Sequence, residues 1–279
     1  MITKILCTAD LHGNIDQFRK LFLYAQKINA EAIFIAGDLT PKSPEKRTPK
    51  KQADFINNEL IPEIKEFKKH HISEIFIILG NDDFKANEVI MKKHDNKLWR
   101  YVNNTIKKFK DYSVFGYTNI PLTPFKFKDW EKVDSEEIHE NTYRKPYILK
   151  GFKSMKTDLI PTKIDLDSRK NNIERDIIKG IKNKSNLILL IHAPPYNTKL
   201  DINKENQHLG SIGILNAIKK TQPVLTIHGH IHETVDMSGS FKDKIGKTIC
   251  VNPGNFFNQE KLAVLEITLP SVKIKRKFI

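Results

Sequence analysis

The feature that most constrains the fold is an alternation, over the first hundred residues, between short apolar runs and amphipathic stretches. Ile2 to Thr8, Glu31 to Ala36 and Glu74 to Leu79 read as strands, and each leads into a short polar loop carrying a carboxylate or an amide. Between them, Phe18, Leu21, Phe22 and Ala25 recur at helical spacing over Ile15 to Ile28. Ala53, Ile56, Leu60, Ile64 and Phe67 do so over Gln52 to His70. Strand, helix and strand in repetition predict βαβ units around a largely parallel sheet, with the helical stripes as core.

The remainder is less regular. Pro41 to Lys50 combines three prolines with clustered Lys and Arg and reads as a solvated loop that need do nothing more. Short β-like runs return from Thr105 to Thr118. Asn119 to Asp165 is polar, proline-bearing and poorly periodic, which predicts a long excursion with a short helix near Ser135 to Tyr143. A helix is expected around Asp167 to Asn183, a strand over Leu187 to Ile191 and a helix near Ser211 to Thr221. Strands are expected at Val224 to Ile227, Thr248 to Val251, Lys261 to Ile267 and Val272 to Phe278. With no repeat and no defensible linker, residues 1–279 are expected to form a single domain that includes the excursion at about 119–165.

Composition narrows the function classes. The two cysteines, Cys7 and Cys250, lie far apart and outside any paired ligand spacing, so neither a disulfide framework nor a zinc ribbon is expected. The start lacks the pattern of a signal peptide, and no 18-residue apolar stretch suggests a membrane span. A reduced, cytoplasmic protein without membrane attachment is therefore expected. The formal charge of +14 is compatible with nucleic-acid binding. Its lysines are scattered through every segment, however, whereas nucleic-acid surfaces are usually marked by clusters with interleaved aromatics.

The residues that can carry chemistry sit at strand ends, where loops converge on an open α/β sheet. The first strand leads into Asp10-Leu11-His12-Gly13, the second into Gly37-Asp38, and the third into Gly80-Asn81-Asp82-Asp83. The strand at Leu187 to Ile191 delivers His192, and that at Val224 to Ile227 delivers His228-Gly229-His230-Ile231-His232. Each piece alone is ordinary turn chemistry. Five strand ends that all supply oxygen or imidazole donors, with glycines allowing close backbone approach, suit a polar metal centre.

In order, these blocks resemble the calcineurin-like metallophosphoesterase superfamily. The resemblance extends through Thr123-Pro124-Phe125 before an acidic helix, His192-Ala193-Pro194-Pro195, Thr198 to Asp201, His208 to Ser211, Gly246 to Thr248 and Asn252-Pro253-Gly254, which look like a bacterial and archaeal phosphodiesterase-like branch. It implies a four-layer α/β/β/α sandwich with two central mixed β-sheets. It also implies that Asp10, His12 and His232 hold one metal, that Asn81, His192 and His230 hold the other, and that Asp38 bridges them. Two divalent transition-metal ions are the implied cofactors, manganese first, with iron, zinc and nickel as alternatives. The implied activity is hydrolysis of a phosphodiester or phosphomonoester by a metal-bridging hydroxide, on a small phosphate ester or nucleotide-like substrate.

One position departs from the family pattern. Much of the superfamily has histidine after Gly-Asn, the donor of a proton to the leaving oxygen, and here that position is Asp82. A carboxylate beside two cations stays ionised and is a poor acid, so aryl or pyrophosphate-type leaving groups are expected to be favoured. His208 is a second catalytic candidate, by contact with substrate, or else an ordering residue for its loop ahead of an N-cap at Ser211. His228 is expected to face packing or supporting partners, and His70 and His71 to lie on the surface at a helix end. Rival readings are a nuclease acting on DNA or RNA and a scaffold with this fold and little catalysis. Oligomeric state is not legible.

Overall fold

A computed structural model of the chain describes residues 2–136, 146–166, 171–255 and 260–279. The chain runs β1 (Thr3–Thr8), α1 (Ile15–Lys27), β2 (Ala32–Ala36), α2 (Pro49–Phe55), a π-helical turn (Ile56–Leu60), α3 (Ile61–His70) and β3 (Glu74–Ile78). It continues with α4 (Glu88–Lys93), β4 (Arg100–Tyr101), β5 (Ile106–Phe109) and β6 (Tyr112–Tyr117). A short helix α5 (Pro146–Leu149) and a hairpin of β7 (Lys150–Met155) and β8 (Asp158–Lys163) follow. The second half comprises α6 (Ile173–Gly180), β9 (Leu187–Ile191), α7 (Ile212–Thr221), β10 (Leu225–Ile227), α8 (Thr234–Ser238), β11 (Lys242–Ile245), β12 (Thr248–Val251), β13 (Ala263–Leu269) and β14 (Lys273–Phe278).

Among the described residues the strands form two six-stranded mixed sheets and the separate hairpin. The first sheet has the order β14-β13-β1-β2-β3-β4 and the second β11-β12-β10-β9-β6-β5. In each, the central strands run parallel; antiparallel strands close one edge of the first sheet and both edges of the second. The central strands are buried on both faces, apart from the exposed Lys4 near the start of β1. In β2, Ala32, Phe34 and Ala36 face the other sheet while Ile33 and Ile35 face α1 and α3; in β9, Ile188 and Leu190 face inward while Leu187, Leu189 and Ile191 meet α6 and α7. This is the α/β/β/α sandwich that the resemblance implies. Strands buried on both faces show continuous apolar runs, which is why Leu187 to Ile191 carries no alternation.

Most expected elements appear with small shifts at their ends. The Ser211 side chain caps α7 as expected, and Asn14 and Asn172 cap α1 and α6 in the same way. One expectation needs correction. The excursion carries the regular β7–β8 hairpin, whose alternation Gly151 and Pro161 obscure. The helix expected near Ser135 to Tyr143 lies outside the described residues apart from Ser135 and Glu136, which are not helical, and of the helix expected from Asp167 the described part is α6. No helix among the described residues is long and apolar enough to cross a membrane.

Candidate metal centre

The parallel strands of both sheets end on one side of the sandwich, and all seven expected ligands meet there. Asp10, His12 and Asp38 lie in the loops after β1 and β2, Asn81 follows β3, His192 follows β9, and His230 and His232 follow β10. Their loops are sharply bent. Asp10, His12, Asp38 and His230 adopt φ of 60°, 44°, 52° and 69°, a left-handed conformation unfavourable to residues with a Cβ. It persists because the loops are tied together. The Asp10 and His12 N–H groups donate to the Gly37 and Asp38 carbonyls at 3.0 and 2.8 Å, and the His230 N–H donates to Asp10 Oδ1 at 3.1 Å. Glycine is needed where they cross. A Cβ on Gly80 would stand 2.2 Å from Asp38 Oδ1, and one on Gly229 2.7 Å from Asp10 Oδ2.

The side chains form two groups around one carboxylate. On one side, ligand atoms of Asp10, His12, Asp38 and His232 all lie within 4.8 Å of one another, with His12 Nε2 and His232 Nε2 only 3.2 Å apart. On the other, Asn81 Oδ1 lies 2.9 Å from His192 Nε2 and 2.7 Å from His230 Nδ1. Asp38 Oδ2 stands between them, 3.7 Å from His12 Nε2 and 3.6 Å from His192 Nε2. The donor set fits a pair of divalent cations. Asp10 Oδ2 is fully buried with no hydrogen-bond partner among the described residues, an arrangement that costs free energy unless something electropositive faces it.

Protonation in the metal-free protein follows from burial and these neighbours. Burial keeps His12 neutral and pushes His230 and His232 down to about 3 and about 4, leaving imidazoles able to ligate. Burial opposes ionisation of Asp38, yet His192 and His12 hold its carboxyl well below the usual range. Burial would also lower His192, but Asp38, Asp10 and the Ala36 carbonyl raise it to about 9. The hydrogen bonds agree, because the His192 Nδ1–H donates to Ala36 O at 2.7 Å while Nε2 faces the oxygens of Asn81 and Asp38. Burial, reinforced by Asp38 against the relief that His192 provides, lifts Asp10 to about 7.

A cation binding at His192 Nε2 must therefore displace a proton at any pH below about 9, and one binding at Asp10 must do so below about 7. Metal uptake is expected to strengthen steadily from about pH 6 to about pH 8.5 and to release protons. Calorimetry in two buffers of different ionisation enthalpy measures both effects, and an affinity flat in pH would contradict the assignment.

Supporting residues hold the loops in register. The buried Asp83 carboxylate accepts from the N–H groups of Leu39, Thr40 and Gly80 and from the Thr40 hydroxyl, locking the loops after β2 and β3 together. Gln52 on α2 donates to the carbonyls of Pro41 and Asp82 and accepts from the Phe84 N–H. Asn252 donates to Gly229 O, and Asn255 ties the segment after β12 to Ala9 and Ala263. His228, buried as expected, bonds the carbonyl of Ala193 and the hydroxyl of Thr226. His208 is held by Asp201 at 2.7 Å and lies against Tyr196; Asp201 also accepts from the N–H groups of Asn197, Thr198 and Gly210. These bonds order the 196–210 loop, and none of them joins His208 to the ligand groups. Of the helix-end histidines, His70 is exposed and His71 is half-buried against Ala30 O.

A cleft of about 530 Å³ opens over the ligands, lined by Asp38, Asn81, Asp82, His230 and His232 and by Lys42, Ser43, Pro44, Arg47, Phe125 and Lys126. The Pro41 to Lys50 loop, read from sequence as mere connection, thus supplies cations to the site. Lys42 Nζ reaches His12 Nε2 at 3.3 Å and Asp82 Oδ2 at 3.8 Å, while Arg47 pairs with Asp82 and packs over the Phe127 ring at 4.6 Å. The signal for them was a dense basic run directly after Gly37-Asp38, which reads equally well as a solvated loop. Burial and Asp38 push the Asp82 carboxyl up to about 6 despite Arg47 and Lys42. Two divalent cations alongside would draw it down again.

Comparison with known proteins follows the same outline. A sequence profile of the calcineurin-like phosphoesterases matches residues 3–234. The Methanocaldococcus jannaschii protein MJ1162, described only as uncharacterized, is 27% identical over 254 residues, which are 90% of this chain and 87% of that protein. Among solved structures, TT1561 of Thermus thermophilus is similar at a TM-score of 0.61 with 17% identity, covering 100% of this chain and 99% of that one. A dimetal phosphatase from Danio rerio is similar at 0.55 with 8% identity, covering 98% of each chain. These two likenesses concern the fold.

Proposed function

We propose that this chain, which belongs to the calcineurin-like phosphoesterase family, hydrolyses a phosphodiester or phosphomonoester at a dinuclear metal site. The observation that carries this reading is the Asp38 carboxylate, standing 3.7 and 3.6 Å from the imidazoles of two separate donor groups. Asp10, His12 and His232 would hold one cation, Asn81, His192 and His230 the other, and Asp38 would bridge them. Mixed carboxylate, amide and imidazole donors suit manganese, iron, zinc or nickel, and manganese is the first to test. Such a pair supplies acidified water and neutralises charge on the phosphoryl oxygens.

The chain's own residues would bind and orient the ester. Lys42, Arg47 and Lys126 line the mouth of the cleft with positive charge that draws an anion inward. Arg47 is fixed on both sides, by Asp82 and by the Phe127 ring, so its guanidinium can meet phosphoryl oxygens with little further ordering. In the reaction a bond forms between phosphorus and the oxygen of water as the bond to the ester oxygen breaks, and the departing oxygen must carry its own negative charge or gain a proton. Asp82, ionised between Arg47, Lys42 and two metal ions, is a poor donor of that proton. Esters whose leaving groups need little protonation, aryl or pyrophosphate-type, are therefore the favoured substrates.

Turnover of a graded series of aryl and alkyl esters with manganese added tests this directly. The native rate is expected to fall steeply as the leaving group becomes more basic, and Asp82→His to flatten that dependence; equal slopes in the two proteins would remove Asp82 from the account. Absence of turnover across phosphomonoesters, cyclic nucleotides, dinucleotides and pyrophosphates would overturn the hydrolase reading and favour a scaffold.

A further inference from the structure

A second groove, of about 780 Å³, adjoins the metal cleft, and Phe125 and Lys126 line both. It runs along the β7–β8 hairpin. In the antiparallel register Lys150 pairs with Lys163 and Phe152 with Pro161, so these four side chains share one face. Phe125, Phe152, Pro124 and Pro161 supply an apolar wall, and Lys126, Lys150 and Lys163 a cationic rim. Two lysines directly opposite one another repel, and none of the three lysines has a carboxylate partner among the described residues. Lys126 instead lies 5.1 Å from the Phe152 ring.

The groove is held in place rather than loosely attached. The Phe152 backbone exchanges hydrogen bonds with Lys126 and Lys128, and Ser154 bonds Asp129 and the Ala86 N–H. A Cβ at Gly151 would stand 2.4 Å from Lys126 O, so the hairpin can lie this close only with glycine there. Phe125 is set by the buried Lys128–Glu131 pair, both members of which bond Thr123. It is 46% exposed, and its ring lies edge-on to His230 at 6.4 Å.

We infer that this groove receives the nucleotidyl part of the substrate: an aromatic base against Phe125 and Phe152, and a further phosphate between Lys150 and Lys163. An acyl chain would match the apolar wall but leave three cations facing hydrocarbon. A simple inorganic anion would match the lysines but not the rings. Aromatic faces beside cationic groups suit a nucleotide that carries more than one phosphate. The inference rests on the hydrolase reading and makes its substrate a nucleotidyl ester of the pyrophosphate type, whose departing phosphate oxygen needs no proton from Asp82.

The test uses a pyrophosphate-linked dinucleotide bearing a further ribose phosphate, and bis(p-nitrophenyl) phosphate, which has neither a base nor a second phosphate. For Lys150→Glu/Lys163→Glu and for Phe152→Ala, the KM for the dinucleotide is expected to rise about tenfold or more. Turnover of the aryl diester should stay within about twofold of native. Calorimetric titration of the same dinucleotide into the metal-free protein should show the same weakening, independently of catalysis. Native-like dinucleotide binding in both variants would overturn the proposal, as would equal losses on the two esters or tighter binding of a decyl phosphodiester. If the native protein binds the dinucleotide through these residues yet cleaves neither ester, the groove stands and the hydrolase reading falls.

Discussion

Asp38→Asn is expected to abolish turnover by about 10³-fold or more, well beyond the roughly 10–100-fold that follows loss of a residue supporting a metal ligand. The substitution keeps the volume and retains an oxygen to accept the Asp82 N–H, which lies 2.8 Å away. What it removes is the charge shared by the two donor groups. With Asp38 neutral, the chief partner raising the His192 pKa is gone, so that imidazole loses its reason to be protonated in the metal-free state. The variant should therefore fold, bind no more than one metal ion tightly, and show weaker pH dependence of uptake. Metal content by elemental analysis, circular dichroism and turnover of one aryl ester separate these effects. A folded variant with two metal ions and native turnover would remove Asp38 from the bridging role proposed for it.

The second large effect is on stability. Phe34 is fully buried between the sheets, stacked on Phe76 at 4.8 Å and edge-on to Phe109 at 6.0 Å, and Phe76 in turn meets Phe109 at 5.5 Å. Phe34→Ala should cost about 3–5 kcal/mol, the sum of lost transfer energy and the cavity left in a densely packed layer. For a chain of this size that lowers the midpoint of thermal unfolding by roughly 6–20 °C. The consequence reaches the proposed metal centre, because the expected ligands after β1, β2 and β3 come from one sheet and those after β9 and β10 from the other. Their meeting depends on the contact between sheets. Phe34→Leu should fall between the native protein and the alanine variant in both stability and metal affinity. A shift below about 2 °C for Phe34→Ala would show that the aromatic trio does not hold the sheets together.

The seven expected ligands could be picked out as one group of strand-end donors because the information that singles them out is local. A strand run ending in Gly-Asp or in Gly-His-Ile-His states both the element and where its polar end lies, and glycines mark loops that must approach one another closely. The hairpin and the Pro41 to Lys50 loop were not legible for the complementary reason. Lys42, Arg47, Lys126 and Lys163 are basic residues in a chain with positive charge throughout, and nothing adjacent in sequence separates a lysine that rims a cleft from one that faces water. Nothing adjacent in sequence marks Asp83 and Gln52 as clamps, because their partners are far from them in the chain, at separations of 43 residues for Asp83 with Thr40 and 30 for Gln52 with Asp82.

By itself the sequence determined the alternation of strand and helix, the burial of strands such as Leu187 to Ile191, and the polar donors at five strand ends, since each is a property of a few consecutive side chains. Only the tertiary structure decided which face of those uniformly apolar strands meets the other sheet. It alone set Asp38 between two groups of imidazoles and laid the β7–β8 hairpin beside the cleft. Those outcomes depend on close packing between segments distant in the chain, such as Asp10 and His230, which are 220 residues apart. A continuous apolar run or a scattered lysine carries no record of the partner it will meet.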